Sequence, residues 1–132
     1  LFFYSDSRSR KVLNIIQNNN VTVHLYEPRF KLQVQLYGHA TIENNSEKTK
    51  NIWSSLNSFS KKNYLSALSP GEKIDSLDNF KYNTDNEEAY SNFSLIYFKV
   101  NKLECLQLAD IKNIRVEYVY TENSNKKYYM VP

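Results

Sequence analysis

Glycine and proline are scarce in this chain of 132 residues, 2 and 3 respectively, and there is a single cysteine. So little glycine and proline excludes a linker-rich or disordered chain. The lone Cys105 excludes an internal disulfide and a cysteine-based zinc site, and it fits a reducing cytoplasm. No apolar run approaches the ~18 residues of a transmembrane helix, and no signal-peptide pattern opens the chain. A strong excess of one charge is missing too: 17 Lys and Arg against 14 Asp and Glu give a formal net charge of +3, with no dense Lys/Arg block, so neither nucleic acid nor a membrane is an expected partner. No glycine-rich phosphate loop and no Ser-His-Asp arrangement can be read. His24 and His39 have no carboxylate or cysteine at ligand spacing beside them, so no metal is expected. Cys105, in an apolar stretch, reads as packing rather than as a nucleophile.

What is abundant is aromatic side chains, 14% of residues with 11 Tyr, and this favours a strand-rich fold. The length allows one domain, 1–132, with a modest core. Leu1–Ser5 reads as the end of a strand, and the first strands of the domain are expected to precede it. A short helix is predicted from Ser9 to about Asn18, with Val12, Ile15 and Ile16 on one side. Val21–Glu27 alternates, Pro28 ends it in a hairpin-like connection, and Lys31–Glu43 is the longest strand signal. Leu32, Val34, Leu36, Ala40 and Ile42 share one of its faces; Gln33, Gln35, Tyr37, His39 and Thr41 share the other. A helix is predicted over 47–59, with Ile52, Leu56 and Phe59 on one side and Trp53 anchoring it, and a second over 61–68. The stretch 72–91 reads as a polar surface loop with one helical turn. Strands are predicted over 92–101, 103–108, 114–120 and 127–131. The fold class is mainly β, a small antiparallel barrel with inserted helices.

The chemistry is densest in Tyr4-Ser5-Asp6-Ser7-Arg8-Ser9-Arg10-Lys11. A strand end runs into a serine-rich turn, and the turn opens a helix. Ser9 is placed as N-cap, Arg10 and Lys11 put two cations in the first turn, and the free N–H groups point the same way. A phosphate dianion suits that arrangement, since arginine binds two of its oxygens at once.

That opening, followed by the helix, the Asn18-Asn19-Asn20 turn and the strand Gln33-Val34-Gln35-Leu36-Tyr37-Gly38-His39-Ala40, resembles the pyridoxamine 5′-phosphate oxidase-like FMN-binding split-barrel family. Trp53, Leu56, Tyr64 and the closing block from Phe93 to Val131-Pro132 agree with it. The resemblance implies a six-stranded antiparallel split β-barrel and a homodimer with FMN at the subunit interface. Carried over by position, Tyr4 and Ser5 contact FMN, and Arg10 and Lys11 hold its phosphate. Gln33, whose amide both donates and accepts, meets the isoalloxazine edge. Leu68 and Ser69 fall where the partner subunit supplies polar groups. Arg115 falls on the last Arg of an Arg-Leu-His-Asp-Arg stretch with which the vitamin B6 oxidases grip their substrate. Only that Arg remains in the run Asp110 to Arg115, and a tryptophan near the flavin is replaced by Leu106.

The expected protein is therefore a cytoplasmic FMN-binding flavoprotein, an oxidoreductase acting on a small redox substrate that the sequence does not name. The alternatives are a true pyridoxamine or pyridoxine 5′-phosphate oxidase and a non-catalytic flavin-binding or stress protein. Related split barrels also bind deazaflavin or haem. No catalytic acid or base stands out in the sequence.

Overall fold

The computed structural model describes residues 1–132, the side chain of residue 86 excepted. It is mainly β. The strands are β1 (Phe2–Asp6), β2 (Asn20–Glu27), β3 (Leu32–Glu43), β4 (Phe93–Gln107), β5 (Ile114–Tyr120) and β6 (Asn125–Met130). The helices are α1 (Arg10–Gln17), α2 (Glu47–Ser55), α3 (Ser58–Lys62) and α4 (Asn86–Ser91). The sheet runs β2-β3-β4-β5-β6, and β1 pairs with β4 off that path. The β1–β4, β2–β3, β4–β5 and β5–β6 pairs are antiparallel. The chain divides into two compact units. One comprises Phe2–Asn19 and Thr41–Tyr97; the other comprises Leu1, Asn20–Ala40 and Phe98–Pro132.

The second of these units is built on the β2–β3 hairpin and the β4–β5–β6 meander. Pro28 ends β2, as its missing N–H requires. The turn Pro28–Phe30 is a 3-10 turn capped by the Glu27 carboxylate, and Lys31 turns the chain back with a positive φ of 47°. Of the apolar face expected for β3, Leu36 and Ala40 are buried, while Leu32, Val34 and Ile42 are half-buried, as Gln33 and Gln35 are on the other face. Gly38 has a specific reason to be glycine. A Cβ built there would lie 1.9 Å from the Lys99 carbonyl oxygen and 2.8 Å from its carbon. Backbone, unlike a flexible side chain, cannot step aside cheaply. Gly38→Ala is therefore expected to cost about 1–3 kcal/mol of stability, in the range of other overpacking changes. An unchanged urea midpoint would count against this close approach.

In the other unit the core is aromatic. Trp53, Tyr64, Ala89 and Phe93 are buried together, with Ile52, Leu56, Leu65 and Tyr90 packed against them. Trp53 does anchor α2, through ring contacts with Tyr64 and Phe93 at 5.5 Å each. A capping box starts α2: the Ser46 hydroxyl accepts from the Thr49 N–H at 3.1 Å, and Ser46 N–H donates to Thr49 Oγ1 at 2.9 Å.

Four expectations need correction. The helix placed over 47–59 stops at Ser55, because Leu56 turns extended and the Asn57 side chain caps a new helix, α3. Phe59 therefore does not continue the face of Ile52 and is 78% exposed. No helix covers 61–68; α3 ends at Lys62, and the chain beyond it bridges, Ser66 to Tyr82. The strands read as 92–101 and 103–108 are one, β4, running through Asn101 and Lys102. On α1, Val12 and Ile15 are buried, but Ile16 is 69% exposed: it lies on the other flank of Val12 from Ile15, in the last turn of the helix, and only the Ile15 flank is covered. The stretch 72–91 is mostly irregular, with a 3-10 turn at Leu77–Asn79 and the short α4, capped by Asp85.

Candidate functional site

Two groups of the expected site residues emerge, one in each unit. In the unit holding α1, β1 ends with the Ser5 side chain buried against the start of that helix. Ser5 Oγ and Ser9 Oγ are hydrogen-bonded at 3.1 Å, and both residues are buried. Ser9 is the N-cap of α1 as expected, but its side chain makes no capping bond. Its hydroxyl is turned to Ser5, so the first-turn N–H groups lack the side-chain acceptor that usually satisfies one of them. No acidic residue stands in that first turn. Arg10 and Lys11 are both exposed, and neither has a hydrogen-bond or ion-pair partner among the described residues. Arg8 is different: its guanidinium is tied to Asp6 at 2.8 and 3.0 Å and to the Ser66 carbonyl at 3.0 Å, which fixes the turn between β1 and α1.

Ser94 is a residue the sequence did not single out. It faces Ser5 directly in the β1–β4 register, is fully buried, and its hydroxyl has no partner. A buried hydroxyl without a partner costs free energy, so a polar neighbour beside the Ser5–Ser9 pair is expected to satisfy it. Tyr4 is partly exposed, its ring 5.2 Å from that of Phe93. Beneath them, burial, with help from Asp6 and Tyr4, pushes the Tyr64 phenol up to about 12, so Tyr64 stays protonated. Ser69 lies in the irregular segment after α3, half-buried, its N–H donating to the Glu72 carboxylate at 3.1 Å.

In the unit holding the hairpins, Gln33 and Arg115 line one small cavity of about 110 Å³ with Gln35, Glu104, Cys105 and Leu106. Arg115 Nε and Nη2 donate to one oxygen of Glu104, at 3.1 and 2.6 Å. The other Glu104 oxygen takes Lys102 Nζ at 3.1 Å, and Lys102 also reaches Glu117 at 3.1 Å. Arg115 above all, with Lys102, holds the Glu104 carboxyl below the usual range, against the opposing pull of burial. Cys105 lies on the same cavity, and burial raises its thiol, so it is a weak nucleophile. Gln35 and Glu104 were not singled out from sequence. For Gln35 the signal was there: it is two residues from Gln33 on one strand, hence on the same face. His24 and His39 stand opposite Gln35 and Asn20 on the β2–β3 hairpin rather than opposite each other. No group of three or more His, Cys, Asp or Glu side chains gathers among the described residues.

This strand order and these inserted helices are the fold of the pyridoxamine 5′-phosphate oxidase-like split barrels. A pyridoxamine 5′-phosphate oxidase-related, FMN-binding protein from Nostoc punctiforme PCC 73102 superposes with a TM-score of 0.78 at 20% identity, over 100% of this chain and 73% of that one. PhzG from Burkholderia lata 383, solved in complex with tetrahydrophenazine-1-carboxylic acid, superposes with a TM-score of 0.74 at 14% identity, over 99% of this chain and 68% of that one. No family model matches the sequence, and no curated protein matches it. No helix is long and apolar enough to cross a membrane.

Proposed function

We propose that this protein binds FMN and is a flavin-dependent oxidoreductase acting on a small molecule, as a single-domain cytoplasmic homodimer. The observation that carries the reading is the entrance of α1. Arg10 and Lys11 sit at the positive end of the helix dipole with no acid beside them. For stability alone that is the wrong sign, since each cation there costs roughly 0.3–1 kcal/mol. A phosphate dianion reverses the sign of the interaction and at the same time accepts from the uncapped first-turn N–H groups. Ser5 and Ser9 supply neutral donors beside it, and the unpartnered Ser94 hydroxyl marks the same spot as one built for polar company.

In the proposed complex Gln33 and Arg115 meet the polar edge of the ring, Tyr4 lies against the cofactor, and Ser69 contributes from the partner protomer. A bound flavin supplies the two-electron chemistry itself; the chain holds the phosphate and orients the ring. The amide and guanidinium groups suit the carbonyls of a flavin or deazaflavin ring.

Where the vitamin B6 oxidases have their substrate grip, this chain has Asp110, paired with Lys31 at 3.2 Å, and a fully exposed Ile111. This favours a substrate other than a B6 phosphate. Aromatic acids, prompted by the ligand of PhzG, are the next class to screen.

Titration of the purified protein with FMN, followed by flavin fluorescence, tests the reading. Saturation near one FMN per chain is expected. A folded protein that leaves flavin fluorescence unchanged up to millimolar concentration, with no binding by calorimetry, ends it.

A further inference from the structure

One face of β3, β4 and β5 carries more polar chemistry than a sheet needs for folding. Gln33, Gln35 and Tyr37 alternate along β3, Lys102 and Glu104 along β4, and Arg115 and Glu117 along β5. In the β4–β5 register Glu104 stands directly opposite Glu117. Two carboxylates facing each other across strands are destabilising by themselves. Lys102 relieves the pair, reaching both at 3.1 Å while its ammonium also lies 4.2 Å from the centre of the Tyr37 ring. With that charge compensated, the second oxygen of Glu104 is left for Arg115. Glu104 is only 8% exposed, so the Arg115–Glu104 contact is held within the structure rather than on a flexible surface.

The contact is side-on. Nε and Nη2 of Arg115 share one carboxylate oxygen, which fixes the plane of the guanidinium and leaves its Nη1 amino group unengaged. Gln35 is committed in a complementary way: its amide oxygen accepts from the Tyr37 hydroxyl, so its N–H groups are the part left over. The Gln33 side chain has no hydrogen-bond partner among the described residues. Both glutamines, Glu104 and Arg115 line the same cavity, and the acceptors of Glu104 and Gln35 are already used. What remains there is mostly donors.

We propose that Glu104 is a positioning residue: by holding Arg115, it completes with Gln33 and Gln35 a donor edge that recognises the carbonyl-bearing edge of a planar heterocycle. This rests on the flavin reading above and adds to it a residue and a division of labour. The Glu104–Arg115 pair holds the ring and makes no contact with a phosphate. A purely structural salt bridge would affect folding without distinguishing one part of the ligand from another.

The test compares FMN with riboflavin, which has the ring and lacks the phosphate, in wild type, Glu104→Gln and Glu117→Gln. Glu117 shares Lys102 with Glu104 but has no bond to Arg115, so its variant controls for loss of the ion network. Glu104→Gln is expected to weaken FMN and riboflavin by the same factor, about tenfold, as for one charged hydrogen bond misplaced. Glu117→Gln is expected to bind both as wild type does. Equal affinities in Glu104→Gln and wild type, or a loss confined to FMN, or the same loss in Glu117→Gln, overturns the proposal while leaving flavin binding intact. A wild-type protein that binds neither ligand overturns both this proposal and the reading it rests on. Should Glu104→Gln not fold, Arg115→Lys, which keeps the charge without the fork, reads the same clamp. It should show the same joint loss, and undiminished binding of both ligands by that variant overturns the proposal.

Discussion

Replacing Arg10 and Lys11 together by alanine is expected to raise the Kd for FMN by about two to four orders of magnitude. In the proposed complex each makes a charge-assisted contact to the phosphate, worth about 1.5–3 kcal/mol, and the two together correspond to that loss. The same variant should bind riboflavin as wild type does, because the contacts removed reach only the phosphate. Fold stability should hold or rise slightly. Both side chains are exposed and unpaired among the described residues, and both stand at the helix end where cations are unfavourable. The difference between wild type and variant should shrink as salt is added, since exposed charges are screened over ~8 Å at physiological ionic strength. Calorimetric titration at low and high salt, beside thermal melts of the apo protein, measures all of this. Unchanged FMN affinity in a folded variant would remove the phosphate from the start of α1. A riboflavin affinity that fell in parallel would mean the helix entrance had been disrupted rather than discharged.

Local chemistry made much of the fold legible. The strand signals of β2 and β3 and the proline between them are short-range. Each is written within a few residues of where it acts, and each appears in the structure. The failures share a different cause. From sequence, β4 is expected to break at Lys102, between a strand ending at Asn101 and another starting at Leu103. Lys102 stays in the strand because Glu104, Glu117 and the Tyr37 ring receive its charge, and two of those partners are distant in sequence. Ser9 reads as a capping side chain, yet its hydroxyl goes to Ser5. Which acceptor a serine chooses depends on how β1 ends, and no spacing rule carries that. The candidate site divides the same way. The residues at α1 form a contiguous motif and could be read. Glu104 could not, because its meaning comes from Arg115, eleven residues away across a hairpin.

The helix misjudged after Ser55 supplies the sharpest test of the aromatic core. Phe93 and Phe59 are both aromatic, and both were expected to lie on packed elements. Phe93 has 0% exposure and touches three rings: Tyr4 at 5.2 Å, Tyr64 at 5.3 Å and Trp53 at 5.5 Å. It therefore joins β1, α2 and the segment after α3 through one side chain. Phe93→Ala is expected to cost about 3–5 kcal/mol, the lost transfer energy plus the cavity that rigid neighbours cannot fill. Offset and edge-on contacts of this kind add to the burial itself. Phe59→Ala, by contrast, should change stability by less than about 0.5 kcal/mol, as exposed positions do. Urea denaturation of the two variants beside wild type decides the matter. A large loss at Phe59 would mean that α2 runs on as the sequence pattern suggests. A small one at Phe93 would mean that the ring cluster is not the core of its unit. On the proposed function the Phe93 variant also affects cofactor binding, because Tyr4 loses the ring it rests on. If Tyr4 lies against the flavin, the variant that remains folded should bind FMN and riboflavin more weakly by a common factor. That pattern is the opposite of the one expected from Arg10 and Lys11, and it separates a damaged platform from a missing phosphate grip.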